Sequence, residues 1–113
     1  MKGLLLKYVD EIGSNTEFWD NEKKELGSSN IRNLAIMANN AECYKELRLF
    51  IQYKTAKGNG WDKDFNRDER FGDVILRYMD DIYERCDRDE NETLKNISKF
   101  FGYLYWKRSA LEK

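Results

Sequence analysis

Asp80, Asp81 and Glu84 are the residues whose type and spacing come nearest to a catalytic set, with Glu22 and Glu25 as a second acidic pair. Carboxylates at i, i+3 or i+4 that face inward from several helices hold magnesium for nucleotide hydrolysis. Here Asp80, Asp81 and Glu84 fall between the apolar positions Met79 and Ile82, on the side that helical periodicity assigns to solvent, interleaved with Arg77, Arg85 and Arg88. A solvated face of i, i+4 ion pairs accounts for them. The chain has no histidine, which removes the commonest general base and the commonest zinc ligand. Cys43 and Cys86 form no C-x-x-C pair, so they read as buried thiols rather than as a zinc or redox motif. No catalytic residue, metal or cofactor is expected, and the chain is expected not to be an enzyme.

The second kind of chemistry the residues offer is contact with phosphate. Gly58-Asn59-Gly60 is too short for a Walker loop, which needs G-x-x-x-x-G-K-[ST] after a strand. It suits a helix C-terminus instead. Lys54, Lys57 and Lys63 flank it and Trp61 follows it. Cations beside an aromatic suit phosphate contact with base stacking. The same residues equally suit a buried tryptophan under snorkelling lysines. Arg32 and Arg48 each follow an apolar position and are candidates at a helix junction, with Glu42 and Glu46 available to pair Arg48. On the last helix Lys95 and Lys99 share a face, while the macrodipole accounts for Lys107, Arg108 and Lys113 near its C-terminus. With 20 Lys+Arg against 21 Asp+Glu, any nucleic-acid face must come from segregating the charges.

The elements that must position these residues are helices. The 113-residue chain contains no proline, so no helix interior is kinked by one, and apolar positions recur at helical rather than strand spacing. An all-α fold is expected: a compact bundle of about five helices, one domain over residues 1–113, with no sheet. The first helix runs from about Leu4 to Ile12 and closes at Gly13-Ser14-Asn15. A short second helix starts at Thr16 as N-cap and stops at Gly27. Ser28 or Ser29 caps a third segment that breaks or bends at Asn39-Asn40, resumes near Ala41 and runs to Lys57. Trp61 to Arg67 is a polar loop. The next helix begins near Asp68 and carries Phe71, Val74, Ile75, Tyr78, Met79 and Ile82, weakened by Gly72 in its first turn. After a charged linker from Cys86 to Glu90, Asn91 or Thr93 opens the last helix, whose aromatics spread over most of its circumference. Such a helix is central to the core or extends into an interface. The Gly3-Leu4-Leu5-Leu6 run is too short for a signal segment and no span suits a membrane, so a cytoplasmic protein without membrane contact is expected.

Three segments together resemble the small subunit of type III-A CRISPR interference (Csm effector) complexes. Ser28-Ser29-Asn30-Ile31-Arg32-Asn33-Leu34 is similar to a helix start in that family, and Leu49 to Gly58 (LFIQYKTAKG) to the end of its central helix. Phe100-Phe101-Gly102-Tyr103-Leu104-Tyr105-Trp106-Lys107 is similar to its C-terminal aromatic helix. Order and spacing agree from about Ser28 onward. The resemblance implies a non-catalytic subunit that stacks in copies along the guide-RNA filament, in association with other subunits of the complex, and contacts guide and target RNA backbone. It places Arg32, Lys54 and Lys57 at RNA. Gly58-Asn59-Gly60-Trp61 stands where the family has Gly-Arg, which moves that contact to Lys63 or Arg67, and Arg48 completes the candidate set. The glutamate that follows the aromatics in the family is missing. The alternatives are a homodimeric helical interaction module without RNA contact, and a magnesium-dependent nucleotide hydrolase.

Overall fold

Side chains at three-and-four spacing bury a stripe on five of the six helices in the computed structural model, which describes residues 1–21 and 26–111, while the short second helix buries the adjacent pair Phe18 and Trp19. These are α1 (Lys2–Gly13), α2 (Thr16–Asn21), α3 (Ser28–Asn40), α4 (Tyr44–Lys57), α5 (Phe71–Arg85) and α6 (Glu90–Leu111). The described residues contain no strand, only an isolated bridge between Asp64 and Arg70, and the all-α bundle is what forms. Glu22, Glu25 and Lys113 lie outside the described residues. No described helix is long and apolar enough to cross a membrane.

The longest helix, α6, packs against α1 and α3 and reaches α5 and α4, while α4 lies along α5. Leu94, Ile97, Phe100, Phe101 and Leu104 are its buried stripe. Two aromatic groups fill the core. Phe18, Trp19, Trp61 and Phe71 meet with ring centroids 5.0–5.5 Å apart, and Tyr8, Tyr78 and Phe100 lie within 6.2 Å of one another. Both spacings are those of offset or edge-on packing.

Helix ends depart from expectation where capping decides them. Asn15, not Thr16, caps α2: its Oδ1 accepts the Phe18 N–H at 3.1 Å while its Nδ2 donates to the Phe65 carbonyl at 2.6 Å. Gly13 stays inside α1, and Ser14 follows in right-handed conformation, so no left-handed residue closes that helix. Of the break or bend expected at Asn39-Asn40 the structure has the break, with Ala41 and Cys43 extended. It makes the helices among the described residues six rather than five. Asp89 Oδ1 accepts the Glu92 N–H at 2.8 Å and starts α6 earlier than Asn91. The start of α5 shifts from Asp68 to Phe71 because Asn66 Oδ1 accepts the N–H groups of both Asp68 and Glu69 at 2.9 Å, an Asx-type turn that competes with helix. Cys43 and Cys86 are free thiols, half-buried rather than buried; Cys86 Sγ lies 3.6 Å from the Asn96 amide.

Candidate nucleic-acid interface

The Gly58-Asn59-Gly60 turn ends α4 as its composition requires. Gly58, Asn59 and Gly60 have φ of 101°, 58° and 95°, a left-handed run that glycine and asparagine accept most readily. The Gly58 N–H closes the helix on the Lys54 carbonyl at 3.2 Å. The chain then folds back, with the Phe71 N–H on the Lys63 carbonyl and the Gly72 N–H on the Trp61 carbonyl, both at 2.9 Å. This loop carries Trp61 into the core, where it is 0% exposed. Of the two roles open to Trp61, the buried anchor is the one it fills, and base stacking on it is excluded.

At this corner Lys57 is exposed and Lys54 half-buried. The Lys57 ammonium lies 5.5 Å from the ring centre of Tyr53, which is exposed. Lys63 and Arg67 project from the loop and, with Asn15, Phe18, Asn21 and Phe65, border an open cleft of about 630 Å³. Glu17 and Asp64 share the same cleft.

Arg48 is corrected by the structure. Its Nε and Nη2 donate to the two oxygens of Asp80 at 2.8 and 2.9 Å, and the Tyr44 hydroxyl donates to the same carboxylate. Hydrogen bonding from Arg48 holds the Asp80 carboxyl below its ordinary range, and burial pushes the Tyr44 phenol up. Arg48 therefore ties α4 to α5 and is not offered to a phosphate. Asp80 is correspondingly half-buried between helices, not on a solvated face, and neither Glu42 nor Glu46 is the partner of Arg48. Asp81 and Glu84 do lie on the outer side, bound to Arg85 and Arg88 at i, i+4.

The ion pairs sort the cations. Arg48, Arg70, Arg77, Arg85 and Arg88 each hold a carboxylate, and Lys107 lies 3.8 Å from Asp10. Among the described residues Arg32, Lys54, Lys57, Lys63 and Arg67 make no ion pair. Five of the six sequence candidates are thus left available, in two places: four at the corner between α4 and α5, and Arg32 exposed on α3.

Arg108 is a buried cation that helix-end arguments misplace. It is 1% exposed, its Nε donates to the Leu26 carbonyl at 2.6 Å, and its guanidinium lies 5.2 Å from the Trp19 ring centre. Only the apolar spacing Leu104–Arg108–Leu111 hinted that it faces inward. Among the described residues no three carboxylates or thiols gather as metal ligands. No family model matches the chain, and no curated protein or solved structure matches it either.

Proposed function

We propose that this chain is a non-catalytic, RNA-binding small subunit of a type III-A CRISPR interference complex, stacking in copies along the guide-RNA filament in antiviral defence. The observation that carries the proposal is the partition of cations. In a chain of net charge −1, the carboxylates take up Arg48 and the arginines of α5 and its flanks, while among the described residues Arg32, Lys54, Lys57, Lys63 and Arg67 make no ion pair and are mostly exposed. Those are the positions at which the family resemblance puts RNA contacts. Asp80 is taken by Arg48 between α4 and α5, and Asp81 and Glu84 by Arg85 and Arg88 on the outer side, so these three carboxylates answer arginines, which favours phosphate binding over hydrolysis.

Weak intrinsic charge suits a subunit that works in a filament, where neighbouring copies and partner subunits supply effective concentration. The test is target-RNA binding by the assembled complex as a function of salt. Lys54→Ala/Lys57→Ala should weaken binding for every RNA sequence alike and flatten the dependence of log affinity on log salt, by roughly 0.7–0.9 per lost phosphate contact. Wild-type affinity and slope in the double variant would overturn the assignment. The exposed Leu49 and Tyr53 of α4 favour a second reading, a helical self-association module; it predicts concentration-dependent dimers and no RNA-dependent shift with or without partner subunits.

A further inference from the structure

The outer face of α6 brings cations and an exposed aromatic onto one stripe. Lys95, Lys99, Gly102 and Trp106 recur at helical spacing, with Tyr103 beside them, its ring centre 5.7 Å from that of Trp106. Lys95, Lys99 and Trp106 are exposed, and Trp106 at 67% is the most exposed large hydrophobic side chain of the described residues. The stripe is about 16 Å long at 1.5 Å per residue. Neither lysine makes an ion pair among the described residues. Glu90 and Glu92 lie in the first turn of α6, where the macrodipole favours them, and from Thr93 to Leu111 the helix has no carboxylate.

The neighbouring helix extends this surface. Ser98 Oγ donates to the Ala35 carbonyl at 3.3 Å, and Asn39 and Lys95 border one small cavity, so α3 and α6 run antiparallel with Arg32 about level with Gly102. Helical periodicity then turns Arg32 and Ile36, both exposed, to the same side as the α6 stripe. No residue of α3 is acidic.

Gly102 adds an independent observation. A glycine in a helix interior is destabilising, and a Cβ at Gly102 would meet nothing within 4 Å. Nothing among the described residues requires that a Cβ be missing there. What the glycine gives is bare backbone between Lys99 and Trp106, open to close approach from outside.

We infer that this face is a second nucleic-acid site, which takes the unpaired bases of a single strand on Trp106 and Tyr103 while Lys95, Lys99 and Arg32 hold its phosphates. An exposed tryptophan with a half-buried tyrosine beside it, next to cations that make no ion pair among the described residues, suits a single strand, because every base has a face to stack and every linkage a charge. Along α3 and from Thr93 to Leu111 of α6 no carboxylate opposes these cations, and Asp10 of α1, which lies by this face, is met by Lys107; that charge selects a polyanion over an apolar protein helix. The inference rests on the proposed RNA-binding role and shares Arg32 with it, but Trp106, Lys95 and Lys99, on which its test turns, are remote in sequence from Lys54 and Lys57, so the two fail separately.

The three tryptophans make the test direct. Trp19 and Trp61 are buried, so quenching of tryptophan emission by a bound strand reports on Trp106. Titration of the full chain with single-stranded oligouridylate at low salt should quench emission, whereas the same strand in a duplex should not. Trp106→Ala should weaken single-strand binding roughly tenfold and Trp106→Phe much less, as stacking on an aromatic ring predicts. Lys95→Ala/Lys99→Ala should lower the salt slope by about 1.4, from 0.7 per phosphate on single strands, with the fluorescence amplitude at saturation retained. Trp106 is exposed, so its replacement leaves the fold intact, which circular dichroism verifies. Absence of quenching, or wild-type binding by Trp106→Ala, overturns the inference even where the complex still loses RNA affinity on Lys54→Ala/Lys57→Ala. A chain that dimerises through Trp106 and shows no quenching overturns it in favour of a protein interface.

Discussion

Arg48 and Lys54 are both basic residues on α4, and spacing alone does not separate them. Their partners do. Arg48 meets Asp80 because α4 and α5 lie side by side, a relation between residues 32 apart that no local pattern encodes; among the described residues Lys54 meets no carboxylate. The Arg48–Asp80–Tyr44 group also makes a prediction in pH. Arg48 holds the Asp80 carboxyl below its ordinary range, so the native state favours the ionised form more than the unfolded chain does. The resulting stability is fully present above the ordinary carboxylate value of about 4 and is lost as pH falls through the lower native value. Asp80→Asn should therefore lower stability at pH 7 by about 1 kcal/mol, the low end for a charge-assisted pair because both side chains are partly exposed. It should also flatten the acid limb of the stability curve relative to wild type. Urea midpoints measured at neutral pH and at pH below about 4 decide it, and parallel curves for the two proteins would exclude a role for Asp80. Glu69 and Asp73 are also held low, by hydrogen bonds from Arg77 and Arg70, and remain in both proteins, so the difference isolates one carboxylate.

At the scale of elements, the buried stripes of α1, α4, α5 and α6 were legible in the sequence, because large apolar side chains at three-and-four spacing dominate helix energetics. Helix ends were not. Asn15 beside Thr16, and Asp89 beside Asn91, are chemically equal cap candidates in the sequence, and only the chain's entry angle selects one. Gly72 is the clearest case. By propensity it weakens the first turn of α5, costing about 1 kcal/mol against alanine. In the fold Thr55 of α4 lies directly against it: a Cβ there would come within 2.7 Å of Thr55 Cβ and 2.8 Å of its Cγ2, and Thr55, 2% exposed, donates to the Ile51 carbonyl at 2.8 Å. Gly72→Ala should consequently destabilise the protein by about 1–3 kcal/mol through overpacking, despite the gain in helix propensity. Thr55→Ala in the same chain should restore only part of the loss, because it removes the hydroxyl and methyl but leaves the Cβ in place. Chemical denaturation of both single variants and the double variant measures that coupling. A neutral or stabilising Gly72→Ala would mean that α4 and α5 separate freely at this end.

For the whole molecule, composition announced helices but not which of them meet. The aromatic spread of α6 left two roles open, centre of the core or edge of an interface, and the helix divides between them: Phe100, Phe101 and Leu104 are buried while Trp106 faces outward. The buried half packs against α1 and α3 and touches α5 and α4, so α2 is the one described helix outside its main contacts. Even α2 is bound in, through Trp19, whose indole donates to the Ile12 carbonyl at 2.9 Å and lies against Arg108 of α6. The Cα radius of gyration, 13.0 Å, is close to the ~13 Å expected when a chain of this length packs as one body. If α6 is the common partner, no subset of helices keeps its core when α6 loosens, and the bundle should unfold as a unit. Phe101→Ala removes a fully buried ring and should cost about 3–5 kcal/mol, a large share of the roughly 5–15 kcal/mol that holds a domain of this size. The loss should appear equally in far-UV circular dichroism, which follows all helices, and in the emission of Trp19 and Trp61, which lie outside α6. Urea transitions of wild type and variant that coincide by both probes would establish one cooperative domain over residues 1–113. A tryptophan transition that survives at higher urea than the helix signal would show instead that the Trp19–Trp61–Phe71 cluster holds together without α6.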